Sequence, residues 1–591
     1  MKMNNEKLDT TLNLSLDADD IQRMKSEILS NGFDETSRTW EVIVKYHGDI
    51  SKIGVDEKDI DVLLNGYAIM RLTREQLQQS DWPEQIEYIE MPKDMLFHVY
   101  REKQESCVLP VTAGPFPLSG NGILVACIDS GIDYLLRDFQ NEKGSRILYL
   151  WDQTLEQEET LKNELGIGRE FTKEDIDRAI VSANLGNGNY DYQRAREIVP
   201  SLDSSGHGTA VAGIAAGSAV SPLYQGVAPE SEFIIVKLRG RRQNGSLTTD
   251  LIRGITYVVR KAEELRRPVV INLSIGDTYG AHDGTSLVER FIDSVCENGR
   301  NVICIGAGNE AVSNGHTSFI LQEEERVEFA IAEGERGVNV QLWKNYVDVC
   351  NLSLEAPNGE RFEVILTRRG MQTWMVGNTQ VLIYVGAPKP FTVNEEIFFD
   401  FIPNDSYIDS GIWIFTVTPI SKNQHDYHMF LPSSTIRNFG TRFLRPTPEL
   451  TMTIPAFAQR ALTVGAYDIV TNSYADFSGR DREYGKEGKL FFATDVKPDI
   501  AAPGVGIIAP VAGGGYASFT GTSFATPLVT GSVALLMEWG IIRGNDLFLY
   551  GEKVKAYLRK GARDLSGDLS YPNNKTGWGG LCVRDSLPDT I

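Results

Sequence analysis

Six consecutive apolar residues, Ile123 to Ile128, end on Asp129-Ser-Gly131. A run with no polar position does not suit a strand with one face in water, so it reads as a buried parallel strand of an α/β sheet. Open α/β sheets place their sites at the carboxyl ends of such strands, and that is where Asp129 falls. Three further segments fit the same frame. Ser205-Gly-His207-Gly-Thr209 opens the small-residue stretch Ala210 to Gly217. Ile303-Cys-Ile-Gly-Ala-Gly-Asn309 ends another apolar run. Gly521-Thr-Ser523-Phe-Ala-Thr-Pro527 stands where an apolar helix begins, one that reads as running to Trp539.

The residue types define a chemistry. A serine hydroxyl is a weak nucleophile at neutral pH, so it needs a base within reach, and the base needs a carboxylate to fix its tautomer and stabilise the imidazolium. Ser523, His207 and Asp129 supply these parts. Ser523 at a helix start turns its own N–H, and the positive end of the helix dipole, toward a developing oxyanion. Asn309 is the candidate second donor, a group whose loss typically costs about a hundred- to a thousandfold in turnover. Each segment alone has a plain reading, as turn residue, tight turn or helix cap. Four of them in one order at strand ends and helix starts do not.

The 591 residues exceed one ordinary domain, and 42% hydrophobic with 23% charged residues is a globular composition. A net charge of −22 and a pI near 4.9 argue against nucleic acid or an anionic membrane as main partner. No run approaches the ~18 apolar residues of a membrane span. The start, Met1-Lys-Met-Asn-Asn-Glu-Lys-Leu-Asp, lacks an apolar signal core, so ordinary secretion is not expected. Six cysteines form no spacing framework and no zinc pattern; Cys127 and Cys304 sit in apolar runs, and reduced thiols are expected.

The chain order Asp, His, Ser is that of subtilisin. The three segments, together with the Asn309 run, Ile271-Asn-Leu-Ser-Ile-Gly276, Lys497-Pro-Asp-Ile-Ala-Ala-Pro503-Gly504 and the closing Trp578-Gly-Gly-Leu581, resemble the subtilase (S8) signature over roughly residues 120 to 310 and 453 to 585. The resemblance implies a subtilisin-like parallel sheet with helices on both faces. It also implies that Ser274, Ile275 and Gly276 pair with the substrate backbone, and that Gly306 and Gly308 wall the S1 pocket. Calcium is common in that family, but no complete loop of oxygen ligands can be matched, so no cofactor is assigned.

Two regions lie outside this likeness. Residues 38–105 alternate as strands at Trp40 to Tyr46 and Ile86 to Met91, with another strand-like run at Tyr67 to Leu72. Ile60 to Leu64 reads as a short helix or strand, and Thr73-Arg-Glu-Gln76 has capping-box spacing. This resembles the small α+β subtilase prodomain, a folding chaperone and inhibitor whose tail occupies the site, and an unrelated ferredoxin-like module is the alternative. Residues 1–37 read as a polar extension with an amphipathic helix from Asp17 to Ser30. Within residues 316–452, short runs at Val327 to Ile331, Val338 to Trp343, Val349 to Leu354, Phe362 to Leu366, Val381 to Val385, Ile397 to Ile402 and Ile412 to Val417 predict an inserted all-β sandwich of jelly-roll type. The catalytic domain is thus expected in two parts, 106–315 and 453–591.

A subtilase with a prodomain, no secretion signal and a sandwich after the asparagine resembles the clostridial Csp germination proteases. The likeness implies packaging in the spore, one self-cleavage, and limited proteolysis of a cortex-lytic zymogen, with the own prodomain and the zymogen as protein partners; a cytoplasmic location is the alternative. One self-cleavage between Asp94 and Cys107 is expected, with Gln104 at P1. Arg239, in Lys237-Leu-Arg-Gly-Arg-Arg242, falls where the family's second substrate-binding strand would lie. It is either part of a solvated basic turn or a reader of acidic substrate residues. A catalytically silent regulator and a general degradative protease are the rival functions, and the retention of all four site residues favours an active enzyme.

Overall fold

The computed structural model describes residues 7–25, 29–30, 32–79, 82–92, 101–113, 117–156, 165–186, 189–218, 224–242, 245–420, 425–483, 496–567 and 570–588. Two compact units, Met1–His98 and Val99–Ile591, are separable. In the first, Phe33–Asp34, Thr39–Tyr46, Tyr67–Thr73 and Ile60–Val62 are neighbours in that order, with Ile86–Glu90 also on Thr39–Tyr46, all antiparallel. Alternation buries Trp40, Val42 and Val44 while Ile43 faces outward. The Thr73 to Gln76 capping box forms in both directions.

Within residues 1–37, the described residues differ from the expected polar extension. The helices there are Thr10–Asp17 and Asp20–Lys25, not one from Asp17 to Ser30. Leu12 and Leu16, one turn apart, and Leu8 before them are buried in the same core as Trp40, Val42 and Val44. Each leucine removed from water contributes about 1.5–3 kcal/mol, which fastens this segment to the unit.

The second unit is built on a nine-stranded sheet. Its path runs Arg169–Thr172, Ile147–Asp152, Glu232–Lys237, Leu124–Asp129, Val269–Leu273, Asn301–Gly306, Leu462–Asp468 and Ser473–Tyr474, with Ile500–Pro503 also on Leu462–Asp468. The pairings from Ile147–Asp152 through Leu462–Asp468 are parallel. The apolar run Ile123 to Ile128 is buried on both faces. Val125 and Cys127 join the core under the helices His207–Ala216 and Thr522–Met537, and Leu124, Ala126 and Ile128 join the core under Thr248–Leu265 and Leu287–Cys296. Contrary to the expectation of no membrane-length apolar run, the helical stretch Thr522–Ile542 is long and apolar enough to cross a membrane, yet 94% of its most apolar 18-residue window is buried in the core of this unit.

The insertion is a two-sheet antiparallel sandwich. One sheet holds His316–Ile320, Asp426–Phe430, Val338–Asn345, Asn394–Pro403, Thr379–Val385 and Gly370–Val376. The other holds Arg361–Val364, Cys350–Glu355, Gly411–Pro419, Glu325–Ile331 and Arg442–Phe443. Each of the seven expected runs overlaps a strand. The sandwich meets the rest of the unit through Gln341, whose amide bonds Thr278 and Gly280, and through Phe430, stacked 4.0 Å from the His282 ring.

The expectation of reduced thiols fails for one pair. Cys107 and Cys582 form a disulfide across 475 residues of sequence, a separation from which no spacing pattern can be read. Cys127, Cys304 and Cys350 are free and buried, and Cys296 is free and half-buried.

Candidate active site

Asp129 ends its strand and is buried, and His207 is the first residue of its helix. His207 Nδ1 lies 2.8 Å from Asp129 Oδ1, which also accepts the Ser130 N–H at 2.7 Å. Glycine makes this approach feasible. A Cβ on Gly208 would stand 2.2 Å from the Gly131 carbonyl oxygen, so no larger residue lets the helix start so close to the strand end. The Asp129 charge draws the proton affinity of His207 above the ordinary histidine value, against the opposing effect of burial. With Nδ1 engaged, Nε2 is the nitrogen left for chemistry.

Ser523 is the second residue of Thr522–Met537. Pro527, four residues on, has no N–H, so the Ser523 carbonyl lacks its intrahelical donor. The Ser274 hydroxyl donates to it at 3.0 Å, and that hydroxyl accepts from Asn272 Nδ2 at 2.9 Å. Ser523 Oγ donates to the Ser274 carbonyl oxygen at 3.3 Å. The structure therefore shows the Asp–His contact and places the serine hydroxyl on Ser274, while the His207 ring packs edge-on against the next residue, Phe524.

Asn309 follows the strand Asn301–Gly306. Its Oδ1 accepts from Thr522 N at 3.0 Å and Thr522 Oγ1 at 3.2 Å, and Thr522 Oγ1 in turn accepts from Gly308 N at 3.1 Å. Fixing the oxygen this way leaves Nδ2, beside Gly521, as the outward donor. Next to it, the buried carboxylate of Glu310 accepts from Ser433 Oγ at 2.6 Å and from Ser434, tying the loop that follows the sandwich strand Asp426–Phe430 to this turn. Thr522, Glu310 and the Ser274 side chain were missed in the sequence. Only the place of Thr522 beside Ser523 could have flagged any of them.

Two family models match the chain. The Csp protease B prodomain matches residues 6–93, and the subtilase family matches residues 120–334 and 441–579, more than half of the chain. The chain belongs to the subtilase family. Among solved structures, the CspB protease of Clostridium perfringens is 33% identical with a TM-score of 0.73, covering 82% of this chain and 96% of that one. Among curated relatives, the minor extracellular protease Vpr of Bacillus subtilis is 23% identical over 79% of this subtilase, and the major intracellular serine protease of the same organism is 35% identical over 20%. The match spans about half of Vpr, 52%, and 33% of the intracellular protease.

The remaining expected residues fall out unevenly in this subtilase. Ser274, Ile275 and Gly276 leave the end of Val269–Leu273, and Asp277 then pairs with Ile454 through two backbone bonds. Gly306 and Gly308 line the neighbouring strand end, where a Cβ on Gly306 would come 3.0 Å from Thr526 Oγ1 of the Ser523 helix. Arg239 is not a free reader of substrate. Its guanidinium is bound to the fully buried Asp250 at 3.0 Å, an anion that also pairs with Arg253. The side chains of Arg241 and Arg242 lie outside the described residues.

Gln104 is exposed but helical, within Arg101–Glu105, and its carbonyl accepts from Cys107 N. Because a protease of this kind reads extended chain, a bond after Gln104 is cut only where this turn is unwound. Asp94 to Tyr100 lie outside the described residues. Among the described residues, Cys107, Cys582 and Asp585 are close enough to share an ion, but the two sulfurs are bonded to each other and are not thiolate ligands.

Proposed function

We propose that this subtilase is a self-processing serine endopeptidase. Ser523 Oγ turns from the Ser274 carbonyl to His207 Nε2, gives up its proton there and bonds to the scissile carbonyl carbon. The resulting oxyanion is met by Asn309 Nδ2 and the Ser523 N–H. His207 then passes the proton to the leaving amine as the C–N bond breaks, and water releases the acyl group by the same route in reverse. Asp129 holds the imidazole and its transient charge. The observation that carries the reading is the 2.8 Å Asp129–His207 bond beside an Asn309 amide whose oxygen is pinned by the residue preceding Ser523.

For the biological role, the Csp prodomain match and the likeness to the clostridial CspB protease support limited activation of a protein zymogen, a spore cortex-lytic precursor, by an enzyme resident in the spore. Its own prodomain is the first substrate, cut between Asp94 and Cys107, and no cofactor takes part. The test is intact mass and N-terminal sequencing of the purified protein beside Ser523→Ala. Wild type should yield a new N-terminus in that window. The alanine variant should stay folded and whole, with turnover lower by several orders of magnitude, since the triad acts as a unit. A variant that still cut itself in pure form would end the proposal.

A further inference from the structure

One buried carboxylate near the site takes no direct part in the proposed reaction. Asp203, four residues before His207, is 8% exposed, and no cation pairs with it among the described residues. Instead it is surrounded by donors. Oδ1 accepts from Ser130 Oγ at 2.8 Å, Gly206 N at 2.9 Å and Ser205 Oγ at 3.3 Å, and Oδ2 accepts from Thr209 N at 2.8 Å and Thr209 Oγ1 at 2.6 Å. Five donors thus converge on one buried carboxylate, each oxygen held by more than one.

Two of these donors link different elements. Ser130 is the residue after Asp129, and its hydroxyl also accepts from Gly208 N at 2.9 Å; Thr209 is in the first turn of the His207 helix, and its hydroxyl accepts from Asp133 N at 2.9 Å. The carboxylate thus bridges the strand end bearing Asp129 and the helix turn bearing His207, on both sides of the 2.8 Å contact. We propose that Asp203 is a positioning residue of the reaction, an anion that locks these two elements in register and adds negative potential where His207 holds the serine proton.

The groups facing His207 support the electrostatic half. Asp129 comes from the strand and Asp203 from the preceding loop, both raising its proton affinity, and Phe524 from the Ser523 helix carries no charge. Lys237, the nearby cation beside Gly131, is paired with Asp152. Asparagine at 203 is nearly isosteric but turns an NH2 toward one set of N–H donors and removes the charge.

The proposal rests on the triad reading, so the experiment separates the two. The full chain is labelled with a fluorophosphonate from pH 5 to 9, and the maximal labelling rate and half-saturating concentration are measured for wild type, Asp203→Asn, Ser130→Ala and Ser523→Ala. Asp203→Asn should label about 10- to 100-fold more slowly at saturation, the range for groups that orient a reactive one, with half-saturation unchanged. Its acid limb should move to lower pH, because an imidazole without that neighbouring charge loses its proton more readily. Ser130→Ala keeps the charge and cuts the bridge, so it should slow labelling with the acid limb in place. Wild-type rate and limb in Asp203→Asn, or equal slowing in both variants with no shift of the limb, would overturn the proposal. Should Asp203→Asn fail to fold, Ser130→Ala decides, and a wild-type rate there overturns it. Labelling of Ser523→Ala would instead sink the triad reading and this one with it.

Discussion

The catalytic sheet and the inserted sandwich are held together by opposite means. Around the Ser523 helix, small residues bring backbones close. A Cβ on Gly531 would stand 2.5 Å from the Ala215 carbonyl oxygen and 2.5 Å from Val227 Cβ, and one on Gly213 would stand 2.2 Å from Pro510. In the sandwich, bulk fills the space. Phe399 meets Phe415 edge-on at 4.8 Å, Phe401 meets Trp413 at 5.0 Å, and Phe329 stacks on Phe415 at 5.4 Å. Sandwich glycines such as Gly334 and Gly359 stand in turns with nothing near them. Adding an atom should therefore break the first region, and removing atoms should break the second.

The largest effect is expected where the regions meet. His282 from the catalytic part stacks with Phe430, as do His316 and His428 from the sandwich, whose rings are linked Nε2 to Nδ1 at 3.3 Å. Burial holds all three below the ordinary histidine value, His282 at about 4 and His428 at about 3, where Arg482 adds to the effect. The unfolded chain binds these protons near pH 6.5 and the native one does not. Stability is then fully present above that pH and is lost as the pH falls below it toward pH 4, as the unfolded chain takes up protons that the buried rings do not. Melting curves of wild type and His428→Phe across this range test the seam. A variant that loses stability as steeply as wild type would clear His428 of any part in it.

Next comes Trp413→Ala, fully buried among the sandwich aromatics, expected to cost about 3–5 kcal/mol. If the sandwich only supports the fold, turnover per folded molecule should stay at the wild-type value, read by active-site titration alongside denaturant unfolding. Lost turnover in molecules that remain folded would show that the Glu310 tie to Ser433 and Ser434 carries strain into the Asn309 turn. The counterpart, Gly531→Val, presses a branched side chain onto the Ala215 carbonyl, which has no rotamer to yield. Its cost should reach the upper end of overpacking, ~3 kcal/mol, in the same unfolding assay.

The same contrast explains what could be read from the sequence. Asp129, His207, Asn309 and Ser523 could be singled out as candidates because each stands beside glycines at a strand end or helix start, where backbones approach closely. Sandwich strands were legible where hydropathy alternates, as in Asn394–Pro403. Gly370–Val376 was missed because it buries Gln372 and exposes Met371 and Met375, inverting the pattern, and His316–Ile320 because it buries a histidine and a threonine. Leu8, Leu12 and Leu16 did carry a helical spacing that the polar residues around them obscured. The Cys107–Cys582 bond, the Asp250 partner of Arg239 and the donors around Asp203 are products of the fold, invisible until distant segments meet.

The smallest expected effect sharpens the comparison most cleanly, because it removes packing from the question. Gly359 sits in the Pro357-Asn-Gly turn between Cys350–Glu355 and Arg361–Val364, at φ +84 with open space where a Cβ would go. Its N–H bonds the Ala356 carbonyl, and the Asn358 side chain accepts from Glu360 N, so the turn is held by bonds a substitution does not touch. Alanine here should cost only the left-handed backbone term, about 1–2 kcal/mol. Asparagine, which visits that region more readily, should cost less than alanine. At Gly531 the order should reverse, because there the obstacle is a carbonyl oxygen and every added atom worsens it. Thermal melts of the four variants give the ordering directly. If asparagine were no better than alanine at Gly359, sandwich turns would be limited by contacts after all, and the division between a region built on backbone approach and one built on volume would fail.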